Sequence, residues 1–254
     1  MIKNIINKLI YGYKATSESY IKYLKNNNVK VGENVRIFMP KQTTIDTLNA
    51  HLLEIGDNVC LTGPVTILTH DYSTHVLNLY SQNVLGKQKK VKIGNNVFLG
   101  YGCTILCGTT IGNNCIIGAG AVVTGNVEDN SVYAGNPARK IMTLDSYYEK
   151  VINNQLKDAV NIYVSYKERF NKVPPIELFH EYFLLFIQDY KEAQKYFKNK
   201  LIEENFTEEL FGKYLINNKN KFDNYSVFCN YCEEQINNRR WIYVYFKWKH
   251  KKIR

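Results

Sequence analysis

The sequence predicts a mainly β protein: a parallel β-helix built from six-residue units, with short helices before it and an α-helical extension after it. Two ladders and one shift in composition carry that prediction. Aliphatic residues recur at six-residue spacing at Ile93, Leu99, Ile105, Ile111, Ile117 and Val123. Small or β-branched residues follow each of them by four, at Val97, Cys103, Thr109, Cys115, Ala121 and Val127. Fourteen of the 15 glycines precede residue 136, and only Gly212 follows. A period of six fits neither an α-helix nor a two-faced strand. It fits a short strand and a tight turn, three such units to a coil, with the aliphatic residue inward on each face and the small residue near the corner.

The remaining elements follow in chain order. Ile2, Ile5, Ile6, Leu9 and Ile10 keep helical spacing, and a second helical stretch begins near Ser17 with Tyr20, Ile21 and Leu24. The first β unit starts at Val31-Gly32, and a partial ladder runs Ile55, Leu61, Ile67. Tyr72 to Lys90 breaks the ladder with polar sequence and reads as a projecting loop, a setting in which function is common. The segment Ile-Gly-Asn-Asn occurs at Ile93 and again 18 residues on at Ile111, one full coil later. Gly and Asn there supply the backbone angles that turns need. Between Val91 and Val127 the only charged residue is Lys92, which rules out a solvated loop.

Beyond Pro137, Leu144, Tyr148, Val151, Ile152, Ala159 and Tyr163 share one side of a helix. Pro174-Pro175 ends it and starts another carrying Leu178, Tyr182, Leu185 and Tyr190, with Phe197 after a turn. A third helical run is expected from Glu203 to Leu215. The expected organisation is N-terminal helices over 1–28, the β-helix with its loop 72–90 over 29–142, and the helical extension with a basic aromatic tail over 143–254.

Composition narrows the function classes. Of 254 residues, 45% are hydrophobic and 22% charged, enough for a real core and against wholesale disorder. No apolar stretch is long enough to span a membrane. The N-terminal residues are interrupted by polar ones and lack a small-residue cleavage site, so no secretory signal is expected. The expected location is the cytoplasm, including the inner face of the membrane. The net charge is +10, and seven of the basic residues fall in the last 16 positions, among them Arg239, Arg240 and Arg254. Trp241, Tyr243, Tyr245, Phe246 and Trp248 alternate with those cations. Such a tail either packs its rings on the helices or meets an anionic membrane surface. A polyanion is the lesser alternative, and no nucleic acid is expected. Cys229-Asn-Tyr-Cys232 lacks both a βαβ context and further ligands, and reads as structural.

The ladder, the segment Gly135-Asn136-Pro137-Ala138-Arg139-Lys140-Ile141 and the segment Ile67-Leu68-Thr69-His70-Asp71-Tyr72 together resemble the hexapeptide-repeat acyltransferases, in the branch that O-acetylates sugars and capsular polysaccharides. The resemblance covers residues 29–142. It implies a left-handed β-helix, a hand that the usual right-handed crossover rule would not give. It also implies a homotrimer, acetyl-CoA as acyl donor, a saccharide acceptor and no metal.

The chemistry needs a base for the acceptor hydroxyl, a donor for the oxyanion and a slot for the thioester. Histidine suits the base because imidazole titrates near neutrality. By resemblance that base is His70. Asp46 either orients His70, binds the acceptor or is an ordinary turn residue; Tyr72 and His75 are assigned to the acceptor side, with a plain loop role open for His75. Carried over likewise, Phe98 lines the thioester end, where some relatives have Trp. Tyr101 and Ala119 offer backbone groups to the pantetheine arm, and Thr124 flanks the adenine. Arg139 faces the nucleotide phosphates with Lys140 beside it, since a guanidinium can bond two phosphate oxygens at once. Gly125 stands where the family often has Lys, and Asn126 where it often has Asp, which shifts phosphate binding toward Arg139. Transfer is expected to be direct, with no cysteine nucleophile. The rival readings are a non-catalytic trimeric scaffold, an N-acetyltransferase for an amino sugar, and a zinc enzyme of the carbonic-anhydrase type. The last lacks a third histidine in the coil where it would be needed.

Overall fold

The structure is a computed structural model and describes residues 2–218 and 220–237, without the side chains of residues 2–5 and 8. The basic aromatic tail, and the membrane reading attached to it, lie outside the described residues. The chain divides into two compact units at Glu149.

The first unit is a three-sided parallel β-helix. One face stacks Lys30–Val31, Leu53–Ile55, Val91–Ile93, Thr110–Ile111 and Asn126–Val127 in that order. The second stacks Arg36–Ile37, Cys60–Leu61, Val97–Leu99, Cys115–Ile117 and Ser131–Ala134. The third stacks Thr44–Ile45, Thr66–Ile67, Thr104–Ile105 and Val122–Val123. A closing strand, Arg139–Thr143, runs antiparallel against Ser131–Ala134. Ile111 pairs with Ile93, as an 18-residue coil requires. Ile93, Leu99, Ile105, Ile111, Ile117 and Val123 are each at most 1% exposed. Each such side chain stabilises the prism by about 1.5–3 kcal/mol relative to exposure.

One member of the small-residue ladder departs from its expected place. Val127 stacks on Ile111, in the aliphatic row, instead of at a corner. The corner after Val123 holds only Thr124 and Gly125, two residues fewer than in the coil below, and Gly125 takes φ +74° to make that short turn. The chain arrives at the first face two residues early.

The corner between the first and second faces explains the Gly-Asn-Asn segments. Asn34, Asn58, Asn96, Asn114 and Asn130 all have φ between 54° and 56°, the left-handed region that Asn tolerates better than other side-chain-bearing residues. Their amides form a continuous ladder, each Nδ2 donating to the next Oδ1 at 2.8–3.1 Å. At Gly94 the coils approach so closely that a Cβ would lie 2.6 Å from the Gly112 carbonyl oxygen.

Two helices precede the prism: α1 (Ile2–Tyr11) and α2 (Ser17–Asn26). Thr16 and Ser19 form a capping box at the start of α2. Its Tyr20 and Leu24 join the core of the first coils. The Tyr20 hydroxyl accepts from the Ile45 N–H at 3.1 Å and donates to the Thr43 carbonyl at 3.4 Å, and burial pushes its pKa up to about 12. The projecting segment holds a helix of its own, α3 (Thr74–Ser81), with no buried residue.

Helix α4 (Leu144–Phe170) leads into the second unit and buries Ala159, Val160, Tyr163 and Val164 in a separate aromatic core. The helix expected after Pro174-Pro175 does not form. Residues 176–189 make two 3-10 turns, Ile176–Phe179 and Phe183–Leu185. The reason is burial on every side: Phe179, Phe183, Leu185, Phe186 and Ile187 are all in the core, a pattern no single helix face accommodates. Helix α5 (Tyr190–Glu203) starts later, on an Asp189 cap, and α6 (Glu208–Asn217) starts on a Thr207 cap instead of at Glu203. A further helix, α7, covers residues 225–237 and carries both Cys229 and Cys232. None of the six cysteines forms a disulfide, and burial pushes Cys103 and Cys232 up to about 12, which removes them as nucleophiles at neutral pH. Among the described residues no helix is long and apolar enough to cross a membrane.

Candidate active site

His70 lies where the projecting arm leaves the prism, at the corner between the third and first faces. The two legs of the arm are zipped together at that point. His70 bridges antiparallel to Gln88, the Asp71 N–H donates to the Lys87 carbonyl at 2.9 Å, and the Lys89 N–H donates to the Thr69 carbonyl at 3.0 Å. Across the legs, Lys87 Nζ meets Asp71 Oδ2 at 2.6 Å. The Lys87 ammonium and the Ser73 N–H hold the Asp71 carboxyl well below the usual carboxylate range. The backbone of His70 is therefore fixed by a short ribbon and not by a free loop.

Asp46 reaches His70 from the coil below. Ile45 pairs with Ile67, so the residue after each strand rises at the same corner. The Asp46 side chain is 7% exposed and its Oδ2 lies 2.6 Å from His70 Nδ1. The same oxygen accepts from the Thr69 N–H at 3.0 Å and from the Thr69 hydroxyl in a very short contact. The other oxygen accepts from the Leu48 N–H at 2.9 Å. Burial works to raise the Asp46 pKa. The Thr69 hydroxyl, the Leu48 and Thr69 N–H groups and the His70 ring outweigh it and hold the carboxyl below its ordinary value. An ionised Asp46 takes the Nδ1 proton as its hydrogen bond. That selects the tautomer in which Nε2 carries the lone pair.

The ring borders a cleft of about 400 Å³, lined by Leu68, Asp71, Tyr72, Lys87, Lys89, Leu106, Cys107 and Thr124 besides His70 itself. Leu68, Leu106 and Thr124 climb one corner, because Ile67, Ile105 and Val123 pair in succession. Tyr72 is 70% exposed, with its ring edge-on to His70 at 4.4 Å between centroids. A cleft of similar size in the second unit is bordered by Glu177, His180, Glu181 and Lys200. Its Lys200 is tied to Glu181 and Glu204, and it holds no comparable pairing of a ring nitrogen with a buried carboxylate.

The structure thus brings together His70, Asp46, Tyr72 and Thr124 from the expected site residues. His75 sits exposed on α3 and is not part of the cleft lining. Phe98 lies on the second face between Cys60 and Ile116, 38% exposed. Tyr101 and Ala119 are exposed at the corner between the second and third faces, a different edge of the prism from His70. Arg139 is exposed on the closing strand, and its Nη1 donates to the Ala138 carbonyl at 3.0 Å. Lys140 is held by Glu128 at 2.6 Å. Thr69, Lys87, Lys89 and Cys107 were not anticipated at the site. Thr69 had a signal, a hydroxyl directly before the histidine. The lysines had none that spacing could reveal, because the antiparallel return of the arm is what brings them back.

Residues 90–125 match the model of a family described as bacterial transferase hexapeptide (six repeats). Protein CapG of Staphylococcus aureus is 35% identical over 144 residues, covering 53% of this chain and 83% of that protein. Galactoside O-acetyltransferase of Escherichia coli K12 is 32% identical over 143 residues, covering 55% of this chain and 68% of that one. Among solved structures, a galactoside acetyltransferase in complex with coenzyme A overlays on 56% of this chain and 80% of its own, at 25% identity and a TM-score of 0.42. Taken with the stacked six-residue units and their closing strand, the two sequence relatives, each matched over more than two thirds of its length, show that the chain belongs to the hexapeptide-repeat acyltransferases.

Proposed function

We propose that this chain transfers the acetyl group of acetyl-CoA to a hydroxyl of a sugar or surface polysaccharide, with His70 as general base. The observation that carries the reading is the 2.6 Å contact between His70 Nδ1 and the buried Asp46 carboxylate at the head of the cleft. It is the pairing of a base with an orienting group that acyl transfer calls for. His70 Nε2 takes the proton as the acceptor oxygen bonds to the thioester carbonyl carbon. The tetrahedral oxyanion collapses, the C–S bond breaks, and the leaving thiolate takes the proton from His70, so that coenzyme A departs as the thiol. Asp46 keeps the imidazole in the productive tautomer and stabilises the transient imidazolium. The likeness to a galactoside O-acetyltransferase supports a sugar hydroxyl as the acceptor.

For the donor, Phe98, Tyr101, Ala119 and Arg139 remain the proposed contacts; Thr124, expected beside the adenine, instead borders the His70 cleft on the edge of the base. Arg139 is tied to no acid among the described residues, whereas Lys140 is neutralised by Glu128, so Arg139 is the principal phosphate ligand. His70 and the pair Tyr101 and Ala119 occupy different edges of one prism. A complete donor groove therefore takes one edge from each of two copies, which is the argument for a symmetric homotrimer.

Thiol release from acetyl-CoA over a panel of sugars and oligosaccharides tests the reading. Acceptor-dependent release is expected, and His70→Ala should lower it by about 10²- to 10⁴-fold, the usual worth of a positioned base. Equal release from both proteins would remove His70 from the role. Release with amino sugars alone would make the reaction an N-transfer.

A further inference from the structure

The charge of the cleft points to the class of acceptor, an inference that rests on the reading of His70 as base. Lys87 and Lys89 both border it, and the one acid on its lining, Asp71, is already bound to Lys87 and to the Ser73 N–H. Asp46 is engaged with Thr69, Leu48 and His70. Among the described residues no acid pairs with the Lys89 ammonium. Lys89 is an exposed residue whose backbone and stem are anchored. Its backbone N–H is bonded to Thr69, one residue from the base, and its methylenes lie over Gly108, where a Cβ would meet Lys89 Cδ at 2.9 Å. Gly108, at φ +83°, thus leaves room for the stem to lie flat against the corner. Beside it, the exposed Tyr72 ring offers an apolar face next to the imidazole.

An aromatic face, a base and an ammonium with no acidic partner among the described residues border one cleft, and together they match a sugar that carries a negative charge. The phosphates of the donor are the other anions in the reaction. They lie at the far end of the pantetheine arm when its thioester is at His70, so the ammonium beside the base faces the acceptor. We propose that Lys89 selects an acidic sugar as acceptor, a uronic or sialic acid residue whose carboxylate it binds while a neighbouring hydroxyl faces His70. A charge-assisted hydrogen bond in a partly enclosed cleft gives about a ten- to hundredfold preference.

The test compares the methyl glycosides of galacturonic acid and galactose, with galactose 6-phosphate as a third arm, on the native chain, Lys89→Met and Lys89→Arg. Met keeps the stem over Gly108 and removes the charge. The kcat/KM ratio of uronate to neutral sugar is expected to exceed ten in the native chain, to collapse toward one in Lys89→Met and to return in part in Lys89→Arg. Rising salt should narrow the ratio. A native enzyme indifferent to the carboxylate would overturn the proposal, as would Lys89→Met raising the KM for acetyl-CoA as much as that for uronate. A preference for the phosphate arm over the uronate would replace the carboxylate by a phosphorylated sugar and overturn the proposal in this form. Direct binding of the uronate, followed by saturation-transfer NMR on the native and Lys89→Met chains, separates the two layers of argument. Lys89-dependent binding without any thiol release upholds the anionic subsite and sinks the transferase reading. Thiol release with neither preference nor Lys89-dependent binding does the reverse.

Discussion

Asp46 makes four polar contacts with two oxygens, and each neighbour sets part of its behaviour. Three of the donors belong to Thr69 and His70, so the carboxylate holds the residue before the proposed base as well as its imidazole ring. Its depressed pKa is a statement about stability. A carboxyl held below its unfolded value contributes stability that is fully present above that value, near 3.9, and is lost as pH falls through the folded one. The stability difference between the native chain and Asp46→Asn, measured by urea unfolding, should be constant above about pH 5 and should shrink below about pH 4. A difference that persists unchanged at low pH would show that the carboxylate is not what the native chain gains. The same variant should lose up to about 10⁴-fold in kcat, since an amide no longer enforces the tautomer. The partnership was only half legible in the sequence. Counting in sixes aligns residues 18 apart, but the corner after Ile45 holds four extra residues, so Ile45 pairs with Ile67 and Asp46 meets His70 at a separation of 24.

At the scale of the element, the prism is legible because each coil imposes the same demand on the same positions. The inward rows need aliphatic volume, the corners need left-handed angles, and both needs surface as spacing. Gly94 shows how little slack there is. A methyl there meets a backbone carbonyl of the coil above, held by its own ladder on both sides, so neither coil can yield. Gly94→Ala should destabilise the first unit by about 1–3 kcal/mol, as overpacking does. The expected result is a lower urea midpoint with the m-value unchanged, and an unaltered midpoint would mean that the coils part more readily than their packing implies. The second unit is less legible for the converse reason. Its core takes Phe179, Phe183, Phe186 and Ile187 from every direction, and a segment apolar all round carries no periodicity from which to tell a helix from a pair of tight turns.

On the scale of the whole molecule, the separation of His70 from Tyr101 and Ala119 is the feature with the largest consequence. With the proposed base at one edge of the prism and the proposed donor corner at another, three copies about an axis would supply three complete sites. Light scattering should give three times the mass of one chain. The stronger prediction concerns variants that are each inactive alone. His70→Ala removes the base, and Ala119→Arg fills the exposed donor corner without touching the ladder. Co-expressed in equal amounts, the two should assemble at random. If each site draws one edge from each of two neighbours, a site is intact when both its edges come from the right variant, which happens about one time in four for cyclic assembly. Thiol release from the mixture should therefore recover to about a quarter of the native rate. A site contained within one chain would recover nothing, since every copy would carry one lesion. Mixing the variants after separate purification controls for assembly. Recovery should appear there only as fast as subunits exchange, which ties the regained activity to contact between copies and not to either chain by itself.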